Sequence, residues 1–259
     1  MNLYLQDKII VVSGGAKGIG AAIAKVLAAE GALPVIIGRS EEDNTALVNE
    51  MAASGQKAGY VTAELSVPQN CKTAIEQVVQ QYGRIDGLVN NAGANDGVGL
   101  EHGDYEKFIA SYHKNAVHYY LLAHYALPAL KQSKGAIVNI SSKTADTGQG
   151  GTSGYAAANG ARNALTREWA VELLPYSIRV NAVVVAEAWT PLYENWLNTF
   201  DNPEEKLAGI TANIPLEKRM TKTEEIADMV AFLLSQRSSH TTGQLIYVDG
   251  GYVHLDRAL

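Results

Sequence analysis

The sequence predicts a doubly wound α/β fold, in which helices cover both faces of a seven-stranded parallel sheet. Short runs rich in Val, Ile and Leu alternate with segments of helical period along the whole chain. Most of these runs are continuous rather than alternating with polar residues, which is typical of parallel strands buried on both faces. The regular alternation of such strands with helices therefore indicates a doubly wound sheet.

Seven apolar runs are the predicted strands. In chain order they are Lys8–Ser13, Leu33–Gly38, Gly59–Ala63, Ile85–Asn90, Ala136–Ser141, Ile178–Val185 and Gln244–Val248. The segments between them carry apolar residues three and four positions apart, which is the spacing of one helix face. The clearest examples are Ile19–Leu27, Cys71–Tyr82 and Ile226–Leu233.

The chain is predicted to form one domain over residues 1–259, because no linker, internal repeat or low-complexity tract interrupts it. That length is at the upper end of what a single core accommodates. Residues 187–215 are the least regular, with Trp189, Tyr193, Trp196 and Phe200 among polar side chains. We expect this segment to form a helical flap over the substrate.

The composition argues against several classes of protein. The chain has 259 residues, 47% of them hydrophobic, a net charge of −6 and one cysteine, Cys71. We expect no membrane span and no signal peptide, because no apolar stretch is long enough and the N-terminus lacks a basic start. Net acidity argues against a nucleic-acid partner, and the single cysteine argues against a disulfide framework. The histidines lack partners at ligand spacing, so no metal site is expected. A cytoplasmic protein is the resulting expectation.

A glycine motif directly follows the first predicted strand. It reads Ser13-Gly14-Gly15-Ala16-Lys17-Gly18-Ile19-Gly20. Glycines at positions 14, 18 and 20 allow a tight turn whose N–H groups approach a pyrophosphate, and the next helix directs its positive end at the same anion. An ordinary glycine-rich turn is the alternative. The position between a strand and an apolar helix favours a nucleotide site.

Four features together resemble the short-chain dehydrogenase/reductase family. They are the glycine spacing, the run Asn90-Asn91-Ala92-Gly93 after the fourth strand, Asn115 on a helix, and Ser142 thirteen residues before Tyr155. The resemblance covers essentially the whole chain. It implies a Rossmann fold, hydride transfer between a nicotinamide cofactor and a carbonyl or alcohol, and catalytic roles for Asn115, Ser142 and Tyr155.

The sequence departs from this family four residues after the tyrosine, where the usual lysine is replaced by Asn159. Tyr155 is the candidate base for the hydroxyl proton, and Ser142 can bond to the reacting oxygen. The family's lysine supplies a positive charge, and an opposite charge nearby lowers the pKa of an acid by about 1–3 units. Without that charge less phenolate forms at neutral pH, so Asn159 in the catalytic set predicts weakened activity.

Three interpretations of Asn159 remain open: an engineered substitution that traps a complex, a natural variant with weakened or water-mediated activity, and a non-catalytic relative. Two further departures favour natural divergence or deliberate redesign. They are Val185-Ala186 in place of Pro-Gly after the sixth strand, and Glu64 in place of aspartate after the third. Lys143 follows Ser142, but the sequence does not reveal its direction.

The cofactor is predicted to be NADP(H) rather than NAD(H). An acid at the end of the second strand would hold the ribose diol of NAD(H), and Ile36-Ile37-Gly38-Arg39-Ser40 contains none. Arg39 can pair with a 2′-phosphate, and Lys17 adds a second positive charge. Use of both cofactors is the alternative. The predicted cofactor contacts are Gly14, Lys17, Gly18, Ile19, Gly20, Arg39, Glu64, Leu65, Asn91, Ala92, Gly93, Tyr155 and Thr190.

The predicted rim of the substrate pocket is polar. Residues 94–101 and 143–154 are rich in glycine and hydrogen-bonding groups and poor in large apolar side chains. A polyol or sugar suits such a rim better than a steroid or a long acyl chain, because each hydroxyl needs a partner. Loops that simply face solvent are the alternative.

These loops, the segment 187–193 and the tail His254–Leu259 resemble the L-fucose dehydrogenase branch of the family. The resemblance implies oxidation of the anomeric hydroxyl of L-fucose, or of a related 6-deoxy or pentose sugar, to a lactone. The implied substrate contacts are Asn95, Ser142, Lys143, Gln149, Tyr155, Glu187 and Trp189. A ketoacyl or hydroxysteroid reductase and a nucleotide-binding pseudoenzyme are the alternatives. The family's usual assembly, a homotetramer, is expected here too.

Overall fold

The predicted sheet is present, and its seven strands all run parallel. In the computed structural model, which describes residues 2–255, the strand order is β3-β2-β1-β4-β5-β6-β7. The strands are β1 Ile9–Ser13, β2 Leu33–Gly38, β3 Gly59–Thr62, β4 Gly87–Asn90, β5 Ala136–Ser142, β6 Arg179–Val185 and β7 Leu245–Val248. Helices cover both faces of this sheet, which confirms the predicted fold class.

Nine α-helices accompany the strands within residues 2–255. They are α1 Gly18–Ala29, α2 Glu41–Ala53, α3 Pro68–Tyr82, α4 Tyr105–Tyr112, α5 His118–Ser133, α6 Ser153–Glu172, α7 Pro191–Leu197, α8 Pro203–Thr211 and α9 Thr223–Leu234. A π-helical turn, His113–Val117, joins α4 to α5. Helices α7 and α8 lie within the segment 187–215 that the sequence predicts to be a flap.

Strand side chains alternate between two apolar cores, one on each face of the sheet. In β1, Ile10 and Val12 pack with α1, α2 and α9, whereas Ile9 and Val11 pack with α3, α5 and α6. All four side chains are buried. Because both faces of the sheet are covered, its strands carry continuous apolar runs instead of an alternating pattern.

Two local details differ from the sequence pattern. Strand β4 begins at Gly87 rather than at Ile85, and the intervening Asp86 uses its carboxylate to accept the Ile9 N–H at 3.0 Å. Val79 in α3 is exposed, although its stripe predicts burial. At 3.6 residues per turn it lies about 80° around the helix from the buried Cys71, at the edge of the apolar face.

Within residues 2–255, no helix combines the length and the apolarity needed to cross a bilayer. In the same range, no group of three or more His, Cys, Asp or Glu side chains is arranged to hold a metal ion. The thiol of Cys71 is buried and donates to the Leu65 carbonyl at 3.4 Å, and burial raises its pKa to about 11. Cys71 therefore stays protonated and packs as a small apolar residue.

A buried chain of polar side chains joins β4 and β5 to α6. Asn90 Nδ2 donates to Asn139 Oδ1 at 3.0 Å, and Asn139 Nδ2 donates to Thr166 Oγ1 at 2.9 Å. Thr166 in turn donates to the Arg162 carbonyl at 2.8 Å. The three side chains that form this chain are fully buried. It therefore fixes α6 against the centre of the sheet.

We expect Asn139→Ala to lower the free energy of unfolding by about 2–4 kcal/mol, because it removes a partner from each of two buried side chains and leaves a cavity. Denaturant unfolding followed by circular dichroism measures the change. Asn195→Ala, on the exposed surface of α7, is the matched control and should stay within about 0.5 kcal/mol of the parent. Equal, small losses in both variants would contradict the structural role of Asn139.

Candidate active site

The motifs singled out in the sequence gather at one edge of the sheet. The carboxyl ends of β1, β4, β5 and β6 lie side by side there. Gly14 directly follows β1, Asn91 directly follows β4, and Ser142 ends β5. The chain leaves β1 and β4 in opposite directions, and doubly wound sheets bind ligands in the crevice outside such a switch point.

The glycine loop folds tightly against the end of β4. Gly14 has a φ of 63°, and a Cβ on Gly20 would lie 2.2 Å from the Gly14 carbonyl oxygen, so larger residues do not fit at either position. Asn91 Nδ2 donates to the carbonyls of Ser13 at 3.0 Å and Gly14 at 3.1 Å. These bonds hold the loop directly above the strand ends.

The start of α1 fits a pyrophosphate. Lys17 occupies the N-cap position, no side chain caps the first turn, and that turn contains no acidic residue. The N–H groups of the first turn are therefore free of side-chain acceptors, and the helix end carries partial positive charge. The cradle suits the phosphates of a nicotinamide dinucleotide.

Thr190 faces the glycine loop from the start of α7. A Cβ on Gly18 would lie 3.4 Å from Thr190 Cβ, and Thr190 Oγ1 accepts the Tyr193 N–H at 3.2 Å. The two segments thus border the cleft in which the sequence predicts the nicotinamide. Ala92 packs against the same loop, because a Cβ on Gly14 would lie 2.8 Å from Ala92 Cα.

Of the two basic residues predicted to bind a 2′-phosphate, Lys17 is paired with an acidic residue of the described range and Arg39 is not. Lys17 Nζ lies 2.8 Å from the Asp43 carboxylate, and this hydrogen bond lowers the pKa of Asp43. Arg39 is exposed and makes no ion pair with another residue of the range 2–255. Sequence reasoning considered only acids at the end of β2 and missed Asp43, which lies in the first turn of α2.

Glu64 and Leu65 follow β3 and point in different directions. Glu64 is exposed, and its Oε1 accepts the Ser66 N–H at 3.1 Å, a bond that lowers the pKa of the carboxyl group. Leu65 is buried in the core shared with α3. Glu64 is therefore held by its own turn, with its surface open towards solvent.

Ser142 and Tyr155 lie at the ends of neighbouring elements, Ser142 at the end of β5 and Tyr155 in the first turn of α6. Ser142 Oγ accepts the Thr144 N–H at 3.3 Å, so the hydroxyl hydrogen of Ser142 remains available for another oxygen. Tyr155 is half-buried. The fifth strand extends one residue beyond its predicted end, to Ser142.

Asn115 lies in the π-helical turn between α4 and α5. Its Oδ1 accepts the Ala94 N–H at 2.9 Å, and its Nδ2 donates to the Ser111 carbonyl at 3.0 Å. Gly93 packs against it so closely that a Cβ there would lie 2.7 Å from Asn115 Oδ1. Asn115 therefore fixes the segment that leaves β4 after Gly93.

Asn159 is fully buried, and both ends of its amide are engaged. Nδ2 donates to the Tyr155 carbonyl at 2.8 Å, one turn earlier in α6. Oδ1 accepts Arg162 Nη1 at 2.9 Å. Asn159 therefore bonds within its own helix and does not extend into the cleft as a long cationic side chain would.

Sequence reasoning missed Arg162, whose side chain is buried beside these residues. Its Nε donates to the Asn115 carbonyl at 2.7 Å, and its Nη1 donates to the Ile140 carbonyl at 3.2 Å. Its Cζ lies 4.3 Å from the centre of the Tyr119 ring and 5.8 Å from that of Tyr155. The available signal was its position, three residues after Asn159 on the same helix face.

The structure shows the direction of the Lys143 side chain. Its ammonium group forms an ion pair with Glu187, which follows β6, and lies 4.0 Å from the centre of the Tyr252 ring. Tyr193 donates its hydroxyl to the other Glu187 oxygen at 2.8 Å. Burial, with Glu187 beside it, raises the pKa of Tyr193, so that hydroxyl keeps its proton. Lys143 is therefore held by Glu187 and Tyr252, and it does not replace the lysine that the family carries at residue 159.

Glu187 also lines a cavity of about 620 Å³ under α8. Its other lining residues are Phe200, Asp201, Asn202, Glu205, Lys206, Gly209, Ile210, Asn213 and Tyr252. Backbone bonds fix Glu187, because its carbonyl accepts the Thr221 N–H at 2.9 Å. The lining therefore combines the anchored Glu187 carboxylate with further polar side chains and with the apolar side chains of Phe200 and Ile210.

The other predicted substrate contacts lie outside this cavity lining. Asn95 and Gln149 are exposed, and Asn95 Oδ1 accepts the Gly97 N–H of its own loop at 3.1 Å. Trp189 is 41% exposed, and its backbone N–H donates to the Thr221 carbonyl at 3.0 Å. Of the tail His254–Leu259, residues 256–259 lie outside the described part of the chain.

Known proteins resemble this chain along almost all of its length. Residues 14–253 match the family described as enoyl-(acyl carrier protein) reductase. The chain is 36% identical to 3-oxoacyl-(acyl-carrier-protein) reductase FabG of Thermotoga maritima over 97% of this chain and 100% of that protein. It is 33% identical to L-fucose dehydrogenase of Rattus norvegicus, over 95% of this chain and 89% of that protein.

Solved structures also resemble this chain along its whole length. The crystal structure of Cj0485 dehydrogenase matches with a TM-score of 0.94 and 44% identity, over 100% of this chain and 99% of that one. The ligand-free structure of Thermoplasma acidophilum aldohexose dehydrogenase matches with a TM-score of 0.89 and 28% identity, again over 100% and 99%. With this fold, these motifs and these relatives, the chain belongs to the short-chain dehydrogenase/reductase family of oxidoreductases.

Proposed function

We propose that this oxidoreductase transfers a hydride from the anomeric carbon of a sugar to a nicotinamide cofactor and releases a lactone. L-Fucose or a related 6-deoxy or pentose sugar is the proposed substrate. The observation that carries this proposal is the cavity lined by Glu187, whose carboxylate pairs with Lys143, the residue directly after Ser142. Similarity to proteins named L-fucose dehydrogenase and aldohexose dehydrogenase supports the same substrate class.

The cavity suits a small polyhydroxylated ring in volume and in chemistry. About 620 Å³ is within the range of small-molecule pockets, and carboxylate, amide and ammonium groups line it. Glu187 is charged and held in place by Lys143 and Tyr193, and its oxygens can accept further bonds from sugar hydroxyls. Trp189, which lies outside the cavity lining, remains the proposed aromatic contact for the C–H groups of a sugar.

Oxidation of a cyclic sugar breaks one C–H bond and one O–H bond at the anomeric centre, and the carbon–oxygen bond between them becomes a carbonyl. A nicotinamide held at the glycine loop would supply the acceptor for the hydride. Tyr155 takes the hydroxyl proton, and Ser142 donates a hydrogen bond to the same oxygen. The cofactor contacts are the thirteen residues predicted from sequence, with the loop of Gly14, Gly18 and Gly20 on its phosphates.

A ketoacyl reductase is the second candidate. The similarity to FabG and the match to the enoyl-(acyl carrier protein) reductase family favour it. The charged and amide groups that line the cavity with Glu187 weigh against it, because an acyl chain offers them no hydrogen-bonding groups.

A substrate panel tests the proposal. We expect oxidation of L-fucose, D-arabinose or L-galactose with NADP+ or NAD+, and far slower reduction of acetoacetyl thioesters or steroid ketones. Tyr155→Phe should lower kcat for the sugar about 100-fold or more, because the proton acceptor is lost. Tyr105→Phe, on the exposed face of α4, is the control.

Reduction of the thioester in place of sugar oxidation would favour the second candidate. Tight cofactor binding without turnover of either class would favour a pseudoenzyme and contradict the proposal. Full sugar oxidation by Tyr155→Phe would show that another group takes the proton.

We expect Glu187→Gln to raise KM for the sugar about tenfold or more while kcat changes less. The amide keeps the shape of the side chain but loses the charge that pairs with buried Lys143. Steady-state kinetics measure the effect, and the surface variant Glu76→Gln on α3 is the control. An unchanged KM in Glu187→Gln would place sugar recognition elsewhere.

We propose NADP(H) as the preferred cofactor, on the support of Arg39. Its exposed guanidinium at the end of β2 makes no ion pair with another residue of the described range and suits a 2′-phosphate. Asp43 opposes this preference, because it pairs with Lys17 and adds negative charge nearby.

Arg39→Ala should lower kcat/KM with NADP+ about tenfold or more and alter that with NAD+ by less than about threefold, because only the former carries the extra phosphate. Asp43→Asn should move the NADP+/NAD+ ratio the other way by releasing Lys17. Lys72→Ala on α3 is the surface control. An unchanged ratio in Arg39→Ala would contradict the assignment of Arg39.

A further inference from the structure

Helix α6 places three candidate residues on one face. Tyr155, Asn159 and Arg162 follow one another at intervals of four and three residues, which is the spacing of neighbours along one side of a helix. Asn159 bridges the other two, because its amide donates to the Tyr155 carbonyl and accepts from the Arg162 guanidinium. The position that carries a lysine in the family is thus neutral here, and the next residue on this face is a cation.

The Arg162 guanidinium is 3% exposed and has no carboxylate partner among residues 2–255. Neutral oxygens surround it instead: the carbonyls of Asn115 and Ile140, and Asn159 Oδ1. Burying a charge without a counter-ion is unfavourable even when its hydrogen bonds are satisfied. Such a charge in a cleft is a functional candidate, because the group that balances it can be one that ionises during the reaction.

We propose that Arg162 is the positioning residue that supplies, from the following turn of α6, the positive charge which the family places at residue 159. The guanidinium acts through Tyr155, whose ring centre lies 5.8 Å from Arg162 Cζ, and favours the phenolate form of that side chain. Asn159 is then its neutral hydrogen-bond partner and not a defect. The inference rests on the proposed role of Tyr155 as proton acceptor.

Other titratable groups near Tyr155 do not take over this role. Tyr119 lies closer to Arg162, but burial raises its pKa and its hydroxyl donates to the Ile140 carbonyl at 3.0 Å, so it stays neutral. Burial, with Arg162 adding to it, lowers the pKa of His118 to about 4, so His118 is uncharged at neutral pH.

Lys143 and Asp96, which lie in neighbouring loops, each form an ion pair. Lys143, after β5, is neutralised by Glu187, after β6. Asp96, after β4, accepts from Ser111 at 2.7 Å and lies 3.5 Å from Lys114 of the π-helical turn. Arg162 is therefore the cation near Tyr155 that no carboxylate of the described residues balances.

The arrangement also predicts what a lysine at residue 159 would do. Its ammonium group would replace the amide that now contacts Arg162 at 2.9 Å and would meet a second buried cation there. Like charges at such a distance repel strongly in a buried site. From the sequence alone, Asn159→Lys should raise activity because it restores the missing positive charge. From the structure, it should do so only when Arg162 is removed as well.

A charge-relocation series tests the proposal. We expect Arg162→Met to raise the pH of half-maximal sugar oxidation by about 1–2 units and to lower the rate at neutral pH about 10- to 100-fold, because the phenolate loses its stabilising charge. Arg162→Lys and Asn159→Lys/Arg162→Met retain a cation and should recover most of the rate. Asn159→Lys alone should bring no gain. Arg167→Met, exposed on the same helix, is the matched control.

A second measurement is independent of turnover. The ultraviolet difference spectrum between the parent and Tyr155→Phe, followed through a pH titration, reports the ionisation of Tyr155 alone. Arg162→Met should move this titration to higher pH, and the double variant should move it back. If the Met variant does not fold, Arg162→Gln is titrated in its place, because glutamine is neutral but can still donate to the Asn115 carbonyl.

An unchanged Tyr155 titration in both neutral variants overturns the proposal for Arg162 and leaves the proposed function standing. Full sugar oxidation by Tyr155→Phe overturns the proton-acceptor role instead. A restored titration in the double variant supports relocation of the charge, since a purely structural role of Arg162 would not be replaced by a lysine at another residue.

Discussion

The site depends on the hydrogen bonds that one buried guanidinium makes with three elements. Arg162 donates to the carbonyl of Asn115 in the π-helical turn, to that of Ile140 in β5, and to the side chain of Asn159 in its own helix. Helix α6, which carries Tyr155, is thereby held against the strand that ends at Ser142. The π-helical turn contributes because it places the Asn115 backbone where Arg162 reaches it, and such turns recur at functional sites.

The buried charge accounts for the departure from the family pattern at residue 159. A guanidinium at residue 162 needs oxygen acceptors around it, and the amide of Asn159 supplies one that a lysine would not. Gly93 is required nearby, since a Cβ there would lie 2.6 Å from Arg162 Nη2. Asn115, Asn159 and Arg162 thus form one packed unit, in which a change at one residue alters the environment of the others.

Much of the fold could be predicted from the sequence because burial on both faces produces continuous Val and Ile runs, and six of the seven strands begin within one residue of their predicted start. The glycine loop was recognisable because its spacing reflects backbone geometry. The pairs Lys17–Asp43 and Lys143–Glu187 were not predictable, since each joins side chains from different elements. Arg162 escaped notice because its one sequence signal, the three-residue spacing from Asn159, does not by itself distinguish a buried arginine from an exposed one.

The proposed reaction transfers a hydride from the anomeric carbon of a sugar to a nicotinamide held at the glycine loop, with the sugar hydroxyls bound near Glu187. Incubation with L-fucose that carries deuterium at the anomeric carbon, followed by magnetic resonance of the recovered cofactor, follows this hydride. We expect one deuterium on each reduced nicotinamide and a slower rate than with unlabelled sugar. Reduced cofactor without deuterium, or no reduction by any aldose while a ketoacyl thioester is turned over, would contradict it.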